Sequence, residues 1–290
     1  MKFKKIAKVF LSCLIAGALF TGCGGGNETN PVPDTSSVAE VKIGMLSHLN
    51  ATEQQLGEQY NKIADEAGLK GSRYNPKFYD SLRAMQMGIE SGEVQEVSLY
   101  KCVADYVIAN NDKFELIPDK AFGNLRDNFC FAVRKDDAQL KADLDKVIGE
   151  MNSDGTLARL ISDYIVKVDK GQAPPKVEIP MTDGAETIKI GVTGDLPPLD
   201  LILPDNSPAG FNTAMLAEVA KRLGRNVEVV QIESGARAAV LSSKQIDVIF
   251  WAVVPVGKNM PADLDKPEGL ELSAPYFEDS IAHIKLKDNK

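Results

Sequence analysis

Between residues 188 and 251 the spacing of the apolar side chains switches back and forth between strand and helix, and this alternation constrains the fold more than any other feature. An apolar strand beginning at Ile188 ends in the turn Gly194-Asp195-Leu196-Pro197-Pro198. Met215, Leu216, Val219 and Leu223 then recur at helical spacing, with Asn212 at the expected N-cap and Gly224 just beyond the last periodic residue. A strand follows over 227–232, and Gly235 opens a short helix that runs to Leu241. The stretch 246–251 is continuously apolar, as a strand buried on both faces requires. The order is β-α-β-α-β, the signature of an α/β fold with parallel strands.

The rest of the chain follows the same alternation. A strand is expected over 41–46. Asn50 and Glu53 have the spacing of a capping box, and Leu56, Tyr60, Ile63, Ala64 and Ala67 form one face of a helix that Gly68 stops. Further strands are read at 77–79, 94–99, 114–117 and 129–134, with helices at 81–91, 102–108, 138–151 and 156–165. The stretch 170–186 carries Pro174, Pro175 and Pro180 and no periodicity, so it reads as a linker.

At the N-terminus, Lys2, Lys4, Lys5 and Lys8 precede an apolar run, 9–20, that is too short for a membrane span. Leu19-Phe20-Thr21-Gly22-Cys23 follows, and the whole resembles a bacterial lipoprotein signal. In such signals Leu stands three residues before the Cys, whereas here that place holds Phe20. The resemblance implies removal of 1–22 and lipidation at Cys23, which anchors the chain without spanning the membrane. Residues 23–40, rich in Gly, Asn, Pro, Ser and Thr, then read as a flexible tether.

The formal net charge is −8 and becomes −12 once the four lysines of residues 1–22 are set aside. An acidic body without a basic patch argues against nucleic acid as a partner. Beyond the signal and the lipid site, Cys102 and Cys130 remain, each inside an apolar segment, which favours two buried thiols over a disulfide. Two Cys and two His, scattered, have no metal-ligand spacing, and no cofactor is expected. No Ser/His/Asp set, carboxylate pair or phosphate loop suggests an enzyme.

Asp195-Leu196-Pro197-Pro198, Gly210-Phe211, Gln245-Ile246-Asp247 and Ser273-Ala274-Pro275-Tyr276-Phe277 occur in an order that resembles the first lobe of extracytoplasmic solute-binding proteins of the amino-acid-binding type. The stretch 78–110 resembles the second lobe, and 129–165 resembles the C-terminal end of the same family. The resemblance implies an α/β, two-lobed periplasmic-binding-protein-like (type II) fold with its lobes in permuted order, the alternative being two partial copies whose remaining halves reassemble. Its divisions would be a second-lobe-like domain at 41–127, a closing strand and helices at 128–169 that pack on the other lobe, a linker at 170–187 and a first-lobe-like domain at 188–290. The implied function is capture of a small polar organic solute, amino-acid-like or related, by a monomer that delivers it to an ABC permease. A ligand-sensing lipoprotein and, further off, a dehydratase-like enzyme are the alternatives.

On this resemblance, ligand contacts fall at Asp195, Pro198, Phe211, Trp251, Asn50, Thr52, Tyr79 and Tyr100. Three of them have a structural alternative: an Asx turn for Asp195, plain capping for Asn50, core packing for Trp251. The family's Thr-x-x-Arg after the third strand is absent here, and Tyr100 stands where an Asp commonly meets the ligand's amino group. Both anchors for a zwitterion are therefore changed. Asp195, Tyr79, Tyr100 and Trp251 are expected to face one another, with one covalent crossover near 124–129.

Overall fold

The structure, a computed structural model, describes residues 38–118 and 121–288. The signal 1–22, Cys23 and most of the tether 23–40 lie outside the described residues.

The N-terminal part of the chain builds one lobe, here the second lobe. It contains β1 (Ala39–Leu46), α1 (Glu53–Glu66), β2 (Ser72–Tyr79), α2 (Leu82–Glu90), β3 (Glu96–Tyr100), α3 (Lys101–Asn110) and β4 (Phe114–Leu116). α1 is capped by Thr52, not Asn50: the Thr52 side chain accepts from Gln55 N–H and the Gln55 side chain accepts from Thr52 N–H. The capping box thus lies two residues later than its sequence spacing suggested. Leu56, Tyr60, Ile63 and Ala64 bury the inner face of this helix.

β5 (Arg126–Arg134) carries the chain into the other lobe, where α4 (Ala138–Ser153) and α5 (Thr156–Ile161) follow, with a π turn over Ser162–Val166. After the linker come β6 (Thr187–Val192), the small antiparallel sheet of β7 (Asp195–Leu196), β8 (Asp200–Ile202) and β9 (Pro208–Ala209), α6 (Phe211–Leu223), β10 (Asn226–Gln231), α7 (Arg237–Ser242), β11 (Val248–Pro255), β12 (Leu270–Leu272) and β13 (Phe277–Leu286). α4 and α5 both pack on α6. Arg222 on α6 bonds Asp154 at 2.8 Å, and Arg225 pairs with Asp143 at 3.4 Å. β11 is buried through Val253 and lies between β6 and β5, which accounts for its continuous apolar run.

The strands run in the order β10-β6-β11-β5-β13-β3-β1-β2. β13 belongs to both lobes: Phe277 to Ser280 pair with β5, and Ile281 to Ile284 pair with β3. The lobes are therefore joined by two strand crossings rather than the single one expected. β1 begins and β13 ends at the same end of the second-lobe strands, with β3 between them. That end is the one away from the crossing, so the start of β1 and the finish of β13 do not meet at the hinge.

α6 starts differently from the sequence reading. Gly210, at φ 92°, occupies the cap, and Asn212 lies inside the helix, fully buried, donating to Asp200 Oδ1 at 2.6 Å. Cys102 and Cys130 are buried free thiols. Among the described residues no helix is long and apolar enough to cross a membrane.

Candidate functional site

A cavity of about 80 Å³ lies where the two lobes meet. The second lobe lines it with His48, Tyr60, Ser98 and Tyr100, and the crossing strand β5 with Asp127. The first lobe contributes Leu196, Arg237, Trp251, Asn259 and Asp265.

Arg237, at the start of α7, is 1% exposed and is the largest fully buried side chain among the described residues. It donates to the carbonyls of Ser234 (2.9 Å), Trp251 (2.8 Å) and Ser47 (2.9 Å), the last across the lobe boundary. Its guanidinium carbon lies 3.8 Å from the centre of the Trp251 ring, a cation–π stack. Burial brings its pKa down to about 10, with Asp265, Tyr100 and Asp200 pulling the other way, so it stays charged at neutral pH.

Two acids flank the cavity. Asp265, 5% exposed, sits in the loop 256–269 between β11 and β12 and reaches the second lobe. Its Oδ1 accepts from Asn50 N–H at 2.8 Å and Ala51 N–H at 3.1 Å, and its Oδ2 is 3.2 Å from His48 Nδ1. Burial pushes this carboxyl upward, but His48 and the two backbone N–H groups outweigh it and hold it below the ordinary range. Met260 and Leu264 of the same loop pack on the second-lobe core around Ile43, Leu56 and Tyr60. Asp127 has a different environment. Tyr100 Oη donates to it at 3.4 Å, and burial raises its pKa to about 6.

The other sequence candidates scatter. Tyr100 and Trp251 do meet, with ring centres 6.3 Å apart and nearly perpendicular, and both line the cavity. Tyr79 instead bonds Glu93 at 2.7 Å on the outer side of the second lobe. Asp195 accepts from Leu82 N–H at 2.6 Å, capping α2 from across the boundary, and burial raises its pKa to about 6. Pro198 accepts from Phe211 N–H at 3.1 Å, and Phe211 is buried against Tyr276 and Phe277, so both belong to the first-lobe core. Thr52 caps α1, and Asn50 contributes its backbone to Asp265. Arg237, Asp127 and Asp265 escaped the sequence reading. A lone Arg at a helix start and Asp residues in a turn and beside a strand have no periodicity to mark them.

Two α/β lobes linked by paired crossing strands around a small polar and aromatic cavity define a ligand-binding fold of the two-lobed periplasmic-binding type. Residues 188–289 match the family of bacterial extracellular solute-binding proteins, family 3. A probable histidine-binding protein of Campylobacter jejuni is 28% identical over 105 residues, which make up 36% of this chain and 37% of that protein. The match thus spans little more than a third of that relative's length. Among solved structures, the GluR0 ligand-binding core of Nostoc punctiforme in complex with L-glutamate is 10% identical with a TM-score of 0.38, covering 86% of this chain and 85% of that one. The ligand-binding component of an ABC-type import system from Staphylococcus aureus, with zinc bound, is 8% identical with a TM-score of 0.43, covering 86% and 66%.

Proposed function

We propose that this chain is an extracytoplasmic solute-binding protein, anchored through a lipid on Cys23, that takes up a small polar organic solute between its lobes without turning it over and passes it to an ABC permease. The observation that carries the reading is the cavity lined from both lobes by Tyr100 and Trp251 with Asp127 beside them. Closure of two lobes on a ligand buries it and presents a new surface to a partner.

A permuted order of lobes agrees with the packing of α4 and α5 on α6 and with the start of β1 and the finish of β13 at one end of the same sheet. In this reading, 170–187 joins what would otherwise be the two ends of one lobe.

The test is a thermal-shift screen of the purified full-length chain against amino acids, amines, peptides and carboxylates. A true ligand at a hundred times its Kd adds about 2.7 kcal/mol of stability. Silence across the whole screen would reject the reading, and turnover of a bound compound would replace it with an enzyme. Metabolic labelling with a fatty acid, in the intact chain and in Cys23→Ser, tests the anchor.

A further inference from the structure

The interlobe cavity already contains a carboxylate supplied by the chain itself. Asp265 of the first lobe places Oδ1 on the N–H groups of Asn50 and Ala51, at 2.8 and 3.1 Å, and Oδ2 beside His48. These N–H groups lead into α1, where backbone donors and the helix dipole favour an anion. A ligand carboxylate could bind there only by displacing a side chain that is 5% exposed and held by three donors.

The opposite charge has the reverse situation. Asp127 lines the same cavity, and among the described residues no basic side chain reaches ion-pair distance of it; Tyr100 Oη, at 3.4 Å, is its side-chain donor. His48 acts on this half-buried carboxylate from beyond ion-pair distance and is already paired with Asp265, so Asp127 has one long hydrogen bond and no cation of its own. The aromatic rings of Tyr100 and Trp251 stand next to it, and such rings suit the apolar or cationic part of a ligand. Arg237 does not neutralise this acid, because three carbonyls and the Trp251 face take up its guanidinium. Trp251 Nε1–H is itself buried and has no acceptor among the described residues.

We infer that the cavity selects a small solute carrying a cationic amine and no carboxylate: Asp127 receives the ammonium group, Tyr100 and Trp251 wall the carbon body, and Asp265 fills the place a carboxylate would need. The inference rests on the solute-binding reading above and narrows it to one ligand class.

A set of probes that share a carbon skeleton separates these requirements. Isobutylamine, L-valine and isobutyrate are titrated calorimetrically into the full-length chain, with ethanolamine, propylamine and choline as further amines. At least one amine should bind, isobutyrate should not, and valine should bind at least about ten-fold more weakly than isobutylamine. Asp127→Asn keeps the shape of the side chain and should weaken amine binding by about thirty-fold or more, the scale of removing one partner of a buried charge pair. Asp265→Asn should narrow the gap between valine and isobutylamine. Should that variant fold poorly, Tyr100→Phe gives a second reading, with a smaller loss of amine affinity and none for an added carboxylate. Equal binding of valine or isobutyrate to the unaltered chain, or unchanged amine affinity in Asp127→Asn, overturns the inference while leaving the solute-binding reading intact. Silence of every amine overturns it as well, and the wider screen then decides whether the solute-binding reading falls with it.

Discussion

Asp265 and His48 belong to different lobes, yet the carboxylate and the imidazole lie 3.2 Å apart. Around this contact the loop 256–269 is tied to the second lobe by two backbone N–H bonds and by Met260 and Leu264 packed on its core. Asp265→Ala removes the acceptor from two N–H groups and should cost about 1–3 kcal/mol, read as a lower urea midpoint. Because the folded carboxyl titrates below its ordinary range, its contribution is present above about pH 4 and disappears as the pH falls through the folded value. The gap between the unaltered chain and Asp265→Ala should therefore shrink in acid. A gap that stays constant from pH 7 to pH 3 would contradict this assignment.

Asp127 should behave in the opposite way. Burial raises its pKa to about 6, whereas in the unfolded chain it ionises near about 4. Between those values the folded protein binds the extra proton, so the stability it contributes falls as the pH rises through this window. Asp127→Asn should be more stable than the parent at pH 7, on the order of 1–2 kcal/mol, and equal to it below about pH 4. The groups around it, Tyr100, His48 and Asp265, remain in place in this comparison. Urea melts at three pH values test the sign, and an Asn variant less stable at pH 7 would refute it.

Arg237 holds Ser47, Ser234 and Trp251 together from a fully buried position. Arg237→Ala removes a donor from three carbonyls, of which Ser47 keeps the Ser234 hydroxyl at 2.9 Å, and exposes the Trp251 face to an empty space, which should cost about 3–5 kcal/mol. Arg237→Lys retains the charge but cannot serve three carbonyls and stack at once, so it should recover less than half of the loss. Thermal melts of the two variants suffice, and a Lys variant as stable as the parent would show that charge alone matters.

Gly210 and Gly68 give a paired control for the start of α6. Gly210 has φ 92°, and an added Cβ would lie 2.6 Å from the Pro198 carbonyl oxygen. Gly68 also has positive φ, at 82°, but nothing stands within 4 Å of its added Cβ. Gly68→Ala should cost about 1 kcal/mol, the strain of the left-handed backbone alone, and Gly210→Ala at least about twice as much. Equal losses would mean that neither the Pro198 contact nor the extended positive-φ backbone of Gly210, at ψ −169°, adds to the cost.

The sheet strands and most helices were legible because burial imposes a period on the sequence. Leu56, Tyr60 and Ile63 mark α1, and the run ending at Trp251 marks β11. The small sheet of β7, β8 and β9 was not, since strands of two or three residues are too short to show alternation. Asn212 looked like a cap, but its partner, Asp200, is twelve residues upstream and invisible to local spacing. The cavity was partly legible: Tyr100 ends β3 and Trp251 lines the cavity with it, although Trp251 lies within β11, which runs on to Pro255 instead of ending there. The charges that shape it, on Asp127, Arg237 and Asp265, take their roles from partners up to 215 residues away in sequence, as in the bond from Asn50 to Asp265.

The start of β1 and the finish of β13 lie at the same end of the second-lobe strands, and this arrangement has a mechanical consequence. Tension applied between β1 and β13 there would peel hydrogen bonds one at a time instead of shearing a whole ladder at once. The load would enter through the second lobe, and the first would be shielded until the second had opened. Under pulling, the lobe that contributes Tyr100 should give way before the lobe that contributes Trp251.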